Sequence, residues 1–200
     1  HDFQFITASE NNAWLFNIRG QDSNYTPLPN CHVLLDKMKN IYFFCEPKKI
    51  SKSFKRRFKD IKFYDLDKLY LVLSKLENKK ILIDKSTCSI FFENLISKRN
   101  KILNAIDSIY NLKSIKNSKE IKNIEKAHIF DGVALTKYLF WIKRNFKIKN
   151  ITEISGEKKL LNFRKKNKKF KFLSFPTISS VGPNGSIIHY RANNETNRKL

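Results

Sequence analysis

Short apolar runs alternate with helical patterns over residues 14–83, and a different grammar follows residue 115. Residues 14–18 (WLFNI) read as a strand ended by Arg19-Gly20, and a polar loop with Pro27 and Pro29 leads to a second run at 32–35. Residues 38–40 are a short connector, and 41–45 (IYFFC) then form an antiparallel neighbour closed by Glu46-Pro47. A basic helix is predicted at 51–58, a strand at 61–64, a helix at 66–76 and a buried strand at 81–84. Alternation of this kind builds α/β layers. A further helix at 86–97 would turn Ile90, Phe91 and Leu95 inward, and Phe92 as a further inward position. Residues 102–115 suit extended chain or helix equally.

Polarity rises at 116–119, and a long helix opens behind Ser118 as N-cap with Glu120 in its first turn, which places a domain boundary there. That helix, 119–146, carries Ile121, Ile124, Leu135, Tyr138 or Leu139, Ile142 and Phe146 on one stripe. His128 and Asp131 interrupt the stripe at i, i+3 and can pair, with Gly132 beside them where a bulkier residue would crowd; a hydrogen-bonded structural pair is the ordinary reading, catalysis the other. Thr152 caps the next helix, with Glu153 in the first turn and an apolar side at Leu160, Leu161 and Phe163. The end of the chain predicts a β-hairpin over 174–190 (SFPTISSVGPNGSIIHY). Gly182-Pro183-Asn184-Gly185 has type I turn chemistry, and β-branched or aromatic residues flank it. On the return strand His189 would share a face with Ile187. A lone strand histidine is ordinarily structural, with catalysis or ligation as its alternatives.

The chain has 200 residues, 41% hydrophobic, enough for one substantial core or two modest ones. No apolar run approaches the ~20 residues of a membrane span, and no signal-peptide succession opens the chain, so a cytoplasmic setting is expected. Cys31, Cys45 and Cys88 are dispersed, without CxxC spacing, and read as small buried hydrophobes rather than disulfide or zinc partners. A net charge of +22 invites a nucleic-acid reading. Lys outnumbers Arg about four to one, and the charge is spread among abundant Asn, Ile and Phe, which disfavours it. The local concentrations at 48–59 (KKISKSFKRRFK) and 164–171 (RKKNKKFK) read as solvated helix faces or helix C-termini.

GPNG has neither GxGxxG nor GxxxxGK[ST] spacing and opens no helix, so a phosphate cradle is disfavoured; GxSxG and HExxH are absent. Four blocks carry a resemblance instead: AWLFNIRGQD (13–22), IEKAHIFDGVALTKYLFWI (124–142), ITEISGEKKLLNFR (151–164) and the 174–190 segment running on through ETNRKL. Together they resemble the cytosolic-type aminopeptidase P family, the Xaa-Pro aminopeptidases of the creatinase and methionine aminopeptidase group. Departures are Thr26 where the family tends to have Asn, Ser186 for Ala and Ala192 for Pro, none at a reactive group.

The resemblance implies an α/β and α+β chain: a creatinase N-terminal-type mixed-sheet domain at 1–116, then the incomplete start of a pita-bread catalytic domain at 117–200. It implies removal of an N-terminal residue before a penultimate proline by water activated on two divalent metals, usually manganese. It also implies a proline-containing peptide as partner; the family is commonly dimeric, so a homodimer of the full-length enzyme is compatible with it. By the same resemblance His189 is an accessory catalytic residue that positions substrate or helps proton transfer, and is not a metal ligand. The ligands would be two Asp, one His and two Glu. After Asp131 the chain offers only Glu153, Glu157 and Glu195 as carboxylates, so these 200 residues alone are expected to bind no metal pair and to be inactive. Two rivals remain: a creatinase-like scaffold that binds peptides without metal, and a basic nucleic-acid binder.

Overall fold

A computed structural model describes residues 1–200, which divide into two compact units, His1–Ile115 and Lys116–Leu200. The first unit runs β1 (Phe3–Ile6), α1 (Ser9–Leu15), β2 (Cys31–Asp36), β3 (Ile41–Cys45), α2 (Lys52–Arg57), β4 (Ile61–Tyr64) and α3 (Lys68–Ser74). It ends with β5 (Lys80–Ile83), α4 (Ile90–Ser97), β6 (Lys101–Asn104) and α5 (Ser108–Ser114). Its six strands form one mixed sheet in the order β4-β3-β2-β1-β5-β6. The β1–β2 and β2–β3 pairs are antiparallel, with Phe5 opposite Leu34 and Val33 opposite Phe43; the other pairs are parallel.

Helices on both faces explain why the central strands are apolar at successive positions instead of alternating. Phe5, Leu34, Phe44, Ile81 and Ile83 pack with Leu69, Leu73 and Ile96 in one cluster, while Ile6, Val33 and Phe43 pack with Phe16 and Ile109 in another. The three cysteines are free and buried. Burial pushes the Cys31 thiol up to about 12 and the Cys88 thiol to about 11, so neither is a ready nucleophile.

Two local expectations are corrected in this unit. Residues 14–18 are not a strand: α1 covers Trp14 and Leu15, and its buried face is Asn11, Asn12 and Ala13. The two asparagines are fully buried because Asn11 Nδ2 donates to Asp107 at 2.6 Å and Asn12 Nδ2 to the Cys31 carbonyl at 3.1 Å. Hydropathy alone assigns such residues to a loop. In α4 Phe92, Leu95 and Ile96 turn inward, the first two as expected, whereas Ile90 and Phe91 are exposed. That helix starts behind Ser89, whose hydroxyl accepts from the Phe92 N–H, so Ile90 and Phe91 lie in its first turn.

The second unit contains α6 (Ser118–Asn145) and α7 (Glu153–Lys165). Asn117, not Ser118, caps α6, in a reciprocal box with Glu120. Beyond α7 the expected hairpin does not form. Gly182–Ser186 is a single 3-10 turn with Gly182 at φ +57°, and no paired strand flanks it. The polar groups on either side of the turn bond to a side chain of α7 instead of to each other. No helix is long and apolar enough to cross a membrane.

Candidate functional site

The N-terminus of α7 organises the end of the chain. Thr152 and Ser155 cap it reciprocally, Ser155 N–H to the Thr152 hydroxyl at 3.3 Å and Thr152 N–H to the Ser155 hydroxyl at 2.8 Å. Glu153 follows at the first helical position, where the helix dipole favours a carboxylate. It is 1% exposed. Burial by itself would raise its pKa. The Tyr190 hydroxyl (2.7 Å), the Arg198 N–H (3.1 Å), the Asn184 amide (3.0 Å) and the Val181 N–H (2.6 Å) outweigh that and hold it at about 2.

Asn184 and Tyr190 are the two buried side chains of the 182–190 segment, and both reach this carboxylate. Their second partner is common as well: the Thr196 carbonyl accepts from the Asn184 amide at 3.0 Å and lies 3.1 Å from the Tyr190 hydroxyl. The backbone closes the same knot, Glu153 N–H to the Arg198 carbonyl at 3.0 Å and Leu200 N–H to the Ile151 carbonyl at 2.8 Å. One buried acid therefore gathers residues 181, 184, 190 and 198. In the sequence Glu153 is visible only as a first-turn acid, because the groups it binds lie 28 to 45 residues further on.

His189 stands at the rim of this knot. Its side chain is exposed, without a hydrogen-bond partner in the chain, and its backbone is left-handed at φ +56°, so it does not lie on a strand beside Ile187 as expected. Its C-terminal neighbour is the anchored Tyr190.

The His128–Asp131 pairing is not formed. Asp131 takes both arms of Arg164 from α7, at 2.6 and 3.0 Å, a planar fork that an imidazole cannot match. His128 turns back to the Ile124 carbonyl at 2.9 Å. Gly132 faces open space, so crowding does not explain it; within this unit the crowded glycine is Gly156, where a Cβ would stand 2.9 Å from the Tyr138 hydroxyl of α6. Near it a cavity of about 270 Å³ is bordered by Tyr138, Glu153, Gly156, Ser179 and Leu200.

No three His, Cys, Asp or Glu side chains converge as a metal site would require. Asp131 is committed to Arg164, and both Glu153 oxygens are occupied by donors. The residues present thus do not fit a dinuclear centre.

Residues 1–120 match the creatinase/prolidase N-terminal domain family and residues 122–200 match metallopeptidase family M24. The chain is 34% identical over 207 residues to the Xaa-Pro aminopeptidase ApepP of Drosophila melanogaster, covering 100% of this chain and 33% of the fly protein. It is 34% identical over 206 residues to Xaa-Pro aminopeptidase 1 of Dictyostelium discoideum, covering 100% of this chain and 32% of that one. Among solved structures it superposes on the X-prolyl aminopeptidase of Caenorhabditis elegans, described as a cytosolic enzyme with a di-nuclear active site. The TM-score is 0.89 at 25% identity, over 99% of this chain and 34% of that one. The chain thus spans about a third of the length of the relatives it matches.

Proposed function

We propose, from the premise that the chain belongs to the creatinase/prolidase family and passes from its N-terminal domain into a metallopeptidase family M24 segment, that these residues are part of a metal-dependent Xaa-Pro aminopeptidase. The observation that carries the reading is collinearity. One relative of that name matches without leaving either unit uncovered, at 34% identity over 100% of the chain.

On this reading residues 1–116 are the N-terminal-type domain and 117–200 the opening of the peptidase domain. The substrate is a peptide with proline in second place, cleaved in the cytoplasm. Two divalent metals, manganese by family habit, are held by residues outside these 200, and His189 assists beside them by placing substrate or moving a proton. Its exposure and lack of a competing partner leave the imidazole free for that role.

Extending the reading frame past Leu200 tests the proposal. Two Asp, a His and two Glu are expected downstream, and the extended protein with manganese should hydrolyse an Xaa-Pro peptide. A downstream segment lacking those five residues would favour a metal-free peptide-binding scaffold. Turnover by the 200 residues alone would show that the argument from missing ligands is wrong.

A further inference from the structure

We propose that Glu153 is a positioning residue for His189: by binding the chain on both sides of the 182–189 segment, its carboxylate fixes where the exposed imidazole stands. This rests on the accessory role proposed for His189 above.

The tether is close on both flanks. Val181 N–H meets the carboxylate immediately before the segment, and the Tyr190 hydroxyl meets it immediately after, one peptide unit from His189. Between those points only the Asn184 side chain is buried, and it too reaches Glu153. The His189 ring has no partner to fix its own placement, and its left-handed backbone is uncommon outside glycine and is held by its surroundings, which over-determine it. What over-determines it is the knot at Tyr190, reinforced by the Tyr190 N–H to the Ile187 carbonyl at 3.3 Å.

The chemistry requires an acid here and not its amide. Val181 and Arg198 present backbone N–H groups and Asn184 an NH₂, so the facing group must accept several bonds at once. A glutamine would set a donor against these donors, and each one left unpaired in a buried site pushes the segment toward another conformation. The imidazole would move with it while remaining chemically intact.

A purely structural Glu153 would hold the fold but have no special link to His189, and a double-mutant cycle separates the two. In the enzyme completed by its downstream sequence, kcat, KM and metal content are measured for wild type, E153Q, H189A and the double variant. H189A should lower kcat by about 10²-fold or more, as for lost acid-base help. E153Q should lower kcat on the order of tenfold with KM within about twofold and metal content unchanged. In the H189A background the same change should cost less than about twofold.

Equal losses in both backgrounds, or an E153Q enzyme with undiminished kcat, would overturn the proposal. An H189A enzyme of wild-type kcat removes the accessory role itself and the positioning role with it, so the silent variant tells which reading has failed. If E153Q does not fold, Tyr190→Phe serves in its place, withdrawing one donor while keeping the carboxylate. Its kcat loss should vanish in the H189A background, and a loss that persists there sinks the proposal.

Discussion

A buried carboxylate is costly unless its lone pairs are met, and at Glu153 four groups meet them. Because its pKa falls from 4.5 to about 2 on folding, the ionised form stabilises the native state. That contribution is complete above pH 4.5 and drains away as the pH falls toward 2. Urea unfolding of wild type and E153Q should therefore show a stability gap at pH 6 that narrows steadily between pH 4.5 and 2; a gap independent of pH would mean that the charge is irrelevant. His32 gives the opposite group in the other unit. Its ring lies 5.9 Å from Phe5 and 5.5 Å from Phe92, its Nδ1 is sealed off without a partner, and burial lowers its pKa below 6.5. The unfolded chain then binds the proton more readily, so stability is lost as the pH drops through and below 6.5. His32→Leu should remove that loss in the first unit's unfolding transition, followed by tryptophan fluorescence of Trp14; an unchanged acid slope would assign the loss elsewhere.

Elements whose pattern is set by their own side chains were legible in the sequence. The strands at 41–45 and 61–64 stand where expected, and α2, α3 and α7 are recovered to within a few residues at their ends. Elements set by a distant partner were not. The helix α1 hides two asparagines behind bonds to residues 31 and 107, and the 174–190 segment is held by a carboxylate 28 residues before Val181. The aminopeptidase resemblance was carried by motif blocks, and it drew attention to His189, but nothing local in GPNGSIIHY reveals that its anchor is Glu153. The inward face of α4 gives a test at this scale. Ile96 is fully buried and Ile90 is 67% exposed. Ile96→Ala should cost about 2–5 kcal/mol by cavity formation, and Ile90→Ala within about 0.5 kcal/mol, both by urea denaturation. The reverse order would restore the face that the sequence pattern suggested.

Across the whole molecule, 40 Lys and Arg face 18 Asp and Glu, an excess of 22 positive charges. Where carboxylates do pair they join separate segments, as Asp131 with Arg164 and Asp22 with Lys49. The cationic stretch around α2 is built into its surroundings rather than presented as a reading head. Lys55, Arg56 and Arg57 fill the last turn of α2, where the dipole favours them, and Lys55 and Arg57 lie 6.0 and 5.0 Å from the rings of Phe63 and Phe58. Self-repulsion is then the main consequence of the charge. Its range is the Debye length, about 30 Å at 0.01 M salt and 10 Å at 0.1 M, so moderate salt should screen it across most of the molecule. The midpoint of thermal unfolding should rise as sodium chloride is raised over that interval, and single-stranded DNA should show no saturable binding at the upper end in a fluorescence anisotropy titration. Saturable binding that persists at 0.1 M, with a steep dependence of log affinity on log salt, would instead make the basic surface a nucleic-acid site.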